Sequence, residues 1–145
     1  MYLCSRIFIT MSKLKNKSEI LVDAARLLHD KTYYPAVAHS AYYCCVQLMK
    51  HIWMFSREKC KTEQDLRDEL EKMDERGGLH VFLIKQINKY IKSKNKNDSR
   101  TFNSRIWKLK DLRTDADYLN EDFDEIKSRD SLMLSSIIVP ILQKY

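Results

Sequence analysis

The stretch PAVAHSAYYCCVQLMKHIWMF, residues 35–55, decides the fold. Its apolar side chains recur every three or four residues, which is the spacing of one buried stripe on an α-helix. The stripe consists of Ala38, Ala41, Tyr42, Cys45, Val46, Met49, Ile52 and Trp53. Pro35 suits the first turn, because its missing N–H has no partner there and its φ is already helical. We therefore predict a central helix that ends near Arg57, with a more polar second face that carries His39 and Tyr43.

Composition places this helix in an all-α domain. The chain has 145 residues, the size of one domain, and is 44% hydrophobic and 32% charged, as globular proteins are. It contains only two glycines and two prolines, which leaves few residues for the tight turns of a sheet. We predict an N-terminal extension over residues 1–17, with partial disorder as one option, and a bundle of four to five helices over residues 18–145.

The remaining helices are predicted from periodicity and from turn residues. Ser18 is a plausible N-cap for a first helix to about Lys31, with Ile20 on its buried side. A short surface helix falls between Lys61 and Arg76. The predicted later elements are a helix from Leu79 to about Lys92, a loop over Ser93–Ser99 and a fourth helix from there to about Ala116. The run Asn120–Glu125 is a connector or a frayed helix end, and a last helix is capped by Ser128 and kinked or locally loosened at Pro140.

The formal charge of +6 is unevenly distributed. Between Lys85 and Lys110 nine Lys and Arg residues face one Asp, whereas between Asp111 and Asp130 eight acids face three bases. A basic block beside an acidic one is typical of a polyanion-binding face next to a region that avoids the ligand, and two solvated helix faces are the alternative. The nucleic-acid-binding residues we predict are Lys89, Lys92, Lys94, Lys96, Arg100, Arg105 and Lys108.

The cysteines and the hydropathy pattern indicate a reduced, cytoplasmic protein. Cys44 and Cys45 are adjacent on a helix and point in different directions, so they form neither a metal pair nor a normal disulfide. No stretch is long and apolar enough to cross a membrane. Since no histidine and carboxylate residues have metal-site spacing and no Gly-rich phosphate loop occurs, we expect no metal and no cofactor.

Three short motifs give the chain a family resemblance. Ala41–Tyr43 lies near the start of the central helix, Leu79-His80 follows a glycine pair, and the segment LKDLRTDADY covers Leu109–Tyr118. In this order they resemble the HEPN family (higher eukaryotes and prokaryotes nucleotide-binding), in particular prokaryotic members with an arginine-x-x-alanine-aspartate-tyrosine signature. The similarity covers residues 18–145.

The resemblance implies an up-down helical bundle that forms a homodimer and often has a nucleotidyltransferase partner. Many members are metal-independent ribonucleases in toxin–antitoxin and phage-defence systems, with a histidine four to six residues after the arginine. Here Arg113 holds the arginine position, but no histidine follows it in the chain. A tyrosine at that point is a poor base, because its pKa of about 10 is far from the working pH.

Arg113, Asp117 and Tyr118 are the site residues we predict for any activity, and His39 is the residue that could supply the missing imidazole. Arg113 and Asp117 are one helical turn apart and can pair. The structural alternative is an ion pair at a helix end, with Tyr118 in the core.

Three functions follow from these patterns. The first is a dimeric module that binds RNA or a nucleotide, or docks a nucleotidyltransferase, without cutting RNA. The second is an active endoribonuclease toxin with a divergent site. The third is a structural protein–protein adaptor. The missing histidine favours the first over the second, so we lean against an enzyme.

Overall fold

The structure, a computed structural model, describes residues 2–56, 61–73 and 76–145, with side chains from residue 13 onward. This part of the chain forms helices and contains no β-strand, which confirms the all-α class. The helices are α1 (Tyr2–Asp30), α2 (Tyr34–Phe55), α3 (Glu63–Met73), α4 (Gly78–Lys94), α5 (Lys96–Tyr118) and α6 (Glu125–Gln143).

Helix α2 is the centre of the fold, as predicted. It packs against α1, α4, α5 and α6. Every residue of its predicted apolar stripe is buried, and Tyr42 and Trp53 are completely enclosed. Burying a large apolar side chain contributes about 1.5–3 kcal/mol relative to leaving it exposed, so this stripe dominates the core.

Helix α1 differs from the prediction in its start and in its buried face. Ser18 is not an N-cap, because the helix already runs from Tyr2 and crosses the predicted boundary at residue 17. Its hydroxyl is buried and donates a 2.9 Å hydrogen bond to the carbonyl oxygen of Cys44. Ile20, which we expected to be buried, is 57% exposed. The face that packs on the core carries Leu14, Ser18, Leu21, Ala25 and Leu28, and this stripe misses Ile20.

The short helix α3 lies within the segment Lys61–Arg76 where it was predicted, and the glycine pair lies at the start of α4. In α3, Leu66 is buried and Met73 is exposed, so the helix uses only part of its thin apolar stripe. Gly77 precedes α4 with φ +99°, where a Cβ would lie 2.5 Å from Cγ2 of Val81. Only glycine fits this position without strain.

The predicted loop over Ser93–Ser99 is wrong. Helix α4 continues to Lys94, and α5 begins at Lys96, so Asn95 alone separates them. The Asn95 side chain caps α5 by accepting from the backbone N–H groups of Asn97 and Asp98. The Ser99 hydroxyl lies 2.7 Å from Oδ1 of Asn88, so α5 folds back against α4.

The start of α6 is also corrected. Asp124, not Ser128, is the N-cap and accepts from the N–H of Lys127. Ser128 is buried inside the helix, and its hydroxyl lies 2.8 Å from Nδ1 of His29. The connector is confirmed for residues 120–124, which are not helical, whereas Glu125 already begins α6. Pro140 lies within α6, and the kink there stays a prediction.

The cysteines and the helix lengths can be compared with the predictions for thiols and membrane spans. Cys44 and Cys45 are buried free thiols, whereas the side chains of Cys4 and Cys60 lie outside the described residues. Across the described ranges, no helix combines the length and the apolar character that a membrane span requires.

Candidate functional site

Helices α2 and α5 bring the predicted site residues together at one end of the bundle. Arg113 and Asp117 lie on the last turns of α5, and His39 and Tyr43 lie on the first turns of α2. Because α2 packs against α5, residues 70 or more positions apart in sequence become neighbours. The predicted neighbourhood of Arg113, Asp117 and His39 is therefore present in the structure.

The guanidinium of Arg113 is held by a carboxylate and a phenol. Its Nε lies 3.0 Å from Oδ2 of Asp117, and Nη2 donates a 2.9 Å hydrogen bond to the hydroxyl of Tyr43. Nε has no hydrogen-bond partner, so its contact with Asp117 is an ion pair without hydrogen-bond geometry. The Arg113 side chain is only 13% exposed.

Aromatic rings surround the same guanidinium. Its central carbon lies 5.7 Å from the ring centroid of Tyr42, 5.2 Å from that of Tyr43 and 5.6 Å from that of Tyr118. Attraction between a cation and the negative face of each ring stabilises this arrangement. Burial raises the pKa of Tyr42, and the nearby positive charge of Arg113 opposes that shift only in part.

His39 reaches the same carboxylate oxygen from α2. Its Nδ1 lies 3.1 Å from Oδ2 of Asp117. Since an ionised carboxylate only accepts hydrogen bonds, we assign the imidazole proton to Nδ1, which makes Nε2 the acceptor in the neutral ring. The His39 ring also stacks on Tyr43, with centroids 4.6 Å apart, while half of its side chain remains exposed. A carboxylate-oriented imidazole with an open acceptor nitrogen is the arrangement of a general base.

His80, which follows the glycine pair and Leu79, is a further neighbour of the site. Its ring lies 5.5 Å from both Tyr42 and Tyr43, so it does pack at the start of α4. Burial lowers the pKa of His80, and the positive charges of Arg113, Lys110 and Lys50 lower it further. This ring is therefore neutral near pH 7. Its position after the glycine pair was visible in the sequence, but nothing there showed that α4 meets the tyrosines of α2.

Tyr118 is not a core residue. Its side chain is 71% exposed, which contradicts the structural alternative that placed it inside the bundle. Leu119, the next residue, is 48% exposed. The helix ends here, so no later turn of α5 covers either side chain. The site therefore has an apolar, accessible edge beside a charged interior.

The basic residues occupy a different part of the molecule. They line the exposed sides of α4 and α5 around the turn at Asn95, and only Arg105 among them is half-buried. The set is Lys89, Lys92, Lys94, Lys96, Arg100, Arg105 and Lys108. Lys96 begins α5 and Arg113 lies 17 residues further along it, which corresponds to about 26 Å of helix. The structure therefore does not place this block around Arg113.

Two of these basic residues line a groove between α5 and α6. Arg105 and Lys108 share it with Asp111 and Asp130, and Met133 contributes to its apolar floor. Nε of Arg105 is buried without a hydrogen-bond partner. Arg105 and Lys108 therefore share this groove with two acidic residues.

The aromatic residues of the basic segment point inward. Phe102 is fully buried. Nε1 of Trp107 donates to the side-chain oxygen of Asn103, and the hydroxyl of Tyr90 donates to the carbonyl oxygen of Ser56. These rings are therefore engaged within the bundle, and the segment offers cations more than stacking surfaces.

Metal binding has no visible site in the described residues. No three His, Cys, Asp or Glu side chains among them converge on a common point. The chemistry that the Arg113 end can perform with its own groups is anion binding, proton transfer at His39 and contact with a flat ring at Tyr118.

Comparison with known proteins adds no relative. No protein-family model matches the chain, and neither a curated protein nor a solved structure matches it. The resemblance to the HEPN family therefore rests on the three sequence motifs alone.

Proposed function

We propose that this chain is a HEPN-like helical module that acts as a homodimer and binds RNA or a nucleotide at the Arg113 end of the bundle. The observation that carries the proposal is the enclosed guanidinium of Arg113, fixed by Asp117 and Tyr43 beside the exposed His39 and Tyr118. The sequence resemblance supports the up-down bundle, the cytoplasmic toxin–antitoxin or phage-defence setting, and docking of a nucleotidyltransferase.

The fixed guanidinium suits a phosphate. Asp117 lies against Nε, and Tyr43 accepts a hydrogen bond from Nη2. We infer that the remaining N–H groups of the guanidinium contact a phosphate oxygen. Because the group is already oriented and largely shielded from water, a phosphate contact costs little conformational entropy. Asp117 partly neutralises this charge, so most of the long-range attraction for a polyanion comes from the basic block.

The affinity for RNA should therefore have two contributions. The exposed lysines near Asn95 contribute a sequence-independent attraction that weakens as salt rises, because each phosphate contact releases counterions. The Arg113 end contributes local contacts that depend on geometry. Substituting the exposed lysines near Asn95 should make the affinity for RNA depend less steeply on salt concentration. Substituting Arg113 should lower the affinity at every salt concentration.

Metal-independent RNA cleavage is the second candidate, favoured by the 3.1 Å contact between His39 and Asp117. In this mechanism Nε2 of His39 removes the proton of a 2′-hydroxyl, and the 2′-oxygen attacks the adjacent phosphorus. The bond to the 5′-oxygen breaks, that oxygen takes a proton from solvent, and a 2′,3′-cyclic phosphate forms. Asp117 stabilises the imidazolium and Arg113 the charge on the phosphate.

One assay separates these functions. Labelled single-stranded RNA is incubated in EDTA with the wild-type protein and with Arg113→Ala, His39→Gln and Arg129→Ala. Arg129 is a matched control, since it also pairs with an acid one turn away in its helix but is 68% exposed.

We expect wild-type binding without cleavage, weakened in Arg113→Ala and unchanged in Arg129→Ala and His39→Gln. Cleavage that disappears in His39→Gln would establish the enzyme instead. No interaction with RNA or nucleotide would refute both and leave the adaptor. Light scattering on the same sample tests the homodimer.

A further inference from the structure

The exposed ring of Tyr118 has one face against a cation and the rest open. The central carbon of the Arg113 guanidinium lies over this ring, 5.6 Å from its centroid. At 71% exposure, most of the ring remains accessible to solvent. With Leu119, the next residue and 48% exposed, the ring forms an accessible apolar edge at the end of α5. The accessible part of Tyr118 is therefore available to a flat partner.

Tyr118 lies on the outer face of α5 with other exposed residues. At 3.6 residues per turn, positions 100, 104, 108, 111 and 118 fall on one side of the helix. These residues are Arg100, Ser104, Lys108, Asp111 and Tyr118, and each is exposed. From Arg100 to Tyr118 this face is five turns long, or about 27 Å. An extended strand of several nucleotides spans that length.

We propose that Tyr118 is a stacking platform for one unpaired nucleobase, at the end of a single strand whose phosphates contact the outer face of α5. The inference rests on the proposed function and adds its substrate class, which is single-stranded rather than duplex RNA. In a duplex both faces of each base are covered by neighbouring bases. Only an unpaired or terminal base can offer a face to Tyr118.

Two cations on this face of α5 can bind the phosphates of such a strand. Arg100 and Lys108 are exposed cations that can contact phosphates along the strand. Asp111 and the half-buried Asp115 lie between Lys108 and Tyr118 on this side of the helix, and both repel the backbone locally. The strand is therefore held by its phosphates toward the start of α5 and by a base at the end of α5. Stacking on Tyr118 does not require a phosphate close to Asp111.

Binding of labelled single-stranded RNA tests the platform, measured by fluorescence anisotropy with a duplex of the same sequence for comparison. Tyr118→Ala should weaken single-strand binding about five- to a hundredfold, the range measured for removing one base–aromatic stack. Tyr118→Phe keeps the ring and should bind within about twofold of wild type. Ile20→Ala is the matched control, since Ile20 is also an exposed apolar residue but lies on α1 rather than on the outer face of α5.

A second measurement isolates the base. AMP and ribose 5-phosphate carry the same phosphate and sugar, and binding of each is followed by NMR of the wild-type protein and of Tyr118→Ala. We expect AMP to bind more tightly than ribose 5-phosphate, and this preference to disappear in Tyr118→Ala.

Single-strand binding that is unchanged in Tyr118→Ala, or equal affinity for the two phosphates, would refute the platform while the proposed function stands. Equal affinity for duplex and single strand would refute it as well. Absence of binding to both RNA and AMP would instead refute the proposed function, and the platform with it.

Discussion

Oδ2 of Asp117 lies 3.1 Å from Nδ1 of His39, although 78 positions separate the two residues. The same oxygen lies 3.0 Å from Nε of Arg113. One carboxylate atom thus orients an imidazole from α2 and a guanidinium from α5. The arginine signature ends without a histidine in sequence, but the fold supplies one from another helix.

Removing this carboxylate should destabilise the fold measurably. In Asp117→Ala the 13% exposed Arg113 loses its counter-ion and His39 loses its acceptor. We expect the free energy of unfolding to fall by about 1–2 kcal/mol, measured by urea denaturation. Asp115→Ala, two residues away, is the control and should change stability by less than about 0.5 kcal/mol. Equal effects of the two substitutions would show that the Asp117 contacts contribute nothing to stability.

The cap of α5 gives a second prediction. The Asn95 side chain accepts from the backbone N–H groups of Asn97 and Asp98. Asn95→Ala leaves both donors without that acceptor and should cost about 1 kcal/mol in the free energy of unfolding, whereas Asn95→Asp should be nearly neutral. Asn97→Ala, at an exposed position of the first turn, is the control. A neutral Asn95→Ala would mean that water replaces the cap without loss.

Stability should fall as the solution is acidified below neutrality. Burial lowers the pKa of His80 and of His51 from the ordinary value of 6.5. The unfolded chain therefore binds more protons than the native one in this range, and the free energy of unfolding rises with pH. The contribution is complete above about pH 6.5 and is lost as pH falls toward the lowered native values.

Substitutions of His80 and His51 test whether these two residues cause the pH dependence of stability. His80→Gln and His51→Gln each remove one titrating ring, so the unfolding free energy of each variant should change less between pH 7 and pH 5 than that of the wild type. Below about pH 4.5 the carboxyl of Glu63 adds a further loss, because its hydrogen bond from Lys50 lowers its pKa. A wild-type stability that is flat from pH 7 to pH 5 would contradict the burial of both imidazoles.

The central part of the fold was predictable because its signal is strong. The apolar stripe of α2 has enough members at helical spacing that no other element type fits it. The boundaries were harder. Ser18 and Ser128 have the residue type of an N-cap, but each lies inside a helix, where its hydroxyl contacts a group on another helix. Sequence alone does not distinguish a serine that caps a helix from one that joins two helices.

The loop predicted over Ser93–Ser99 shows a missed local signal. Its polar composition suggested irregular structure, yet Asn95 followed three residues later by Asp98 is typical of a helix start. Similarly, the pairing of Arg113 with Asp117 was predictable from their spacing on one helix. The contact with His39 was only a hypothesis, because the register between α2 and α5 depends on side-chain packing that one sequence does not reveal.

The most direct test of the account compares wild type with Arg113→Lys in binding single-stranded RNA at one fixed salt concentration. Lysine keeps the positive charge but loses the planar fork that Asp117 and Tyr43 orient. If the Arg113 end holds a phosphate, the dissociation constant should rise about tenfold or more, while circular dichroism shows an unchanged helical content. Equal affinity of the two proteins would contradict the central claim, because charge alone would then explain binding.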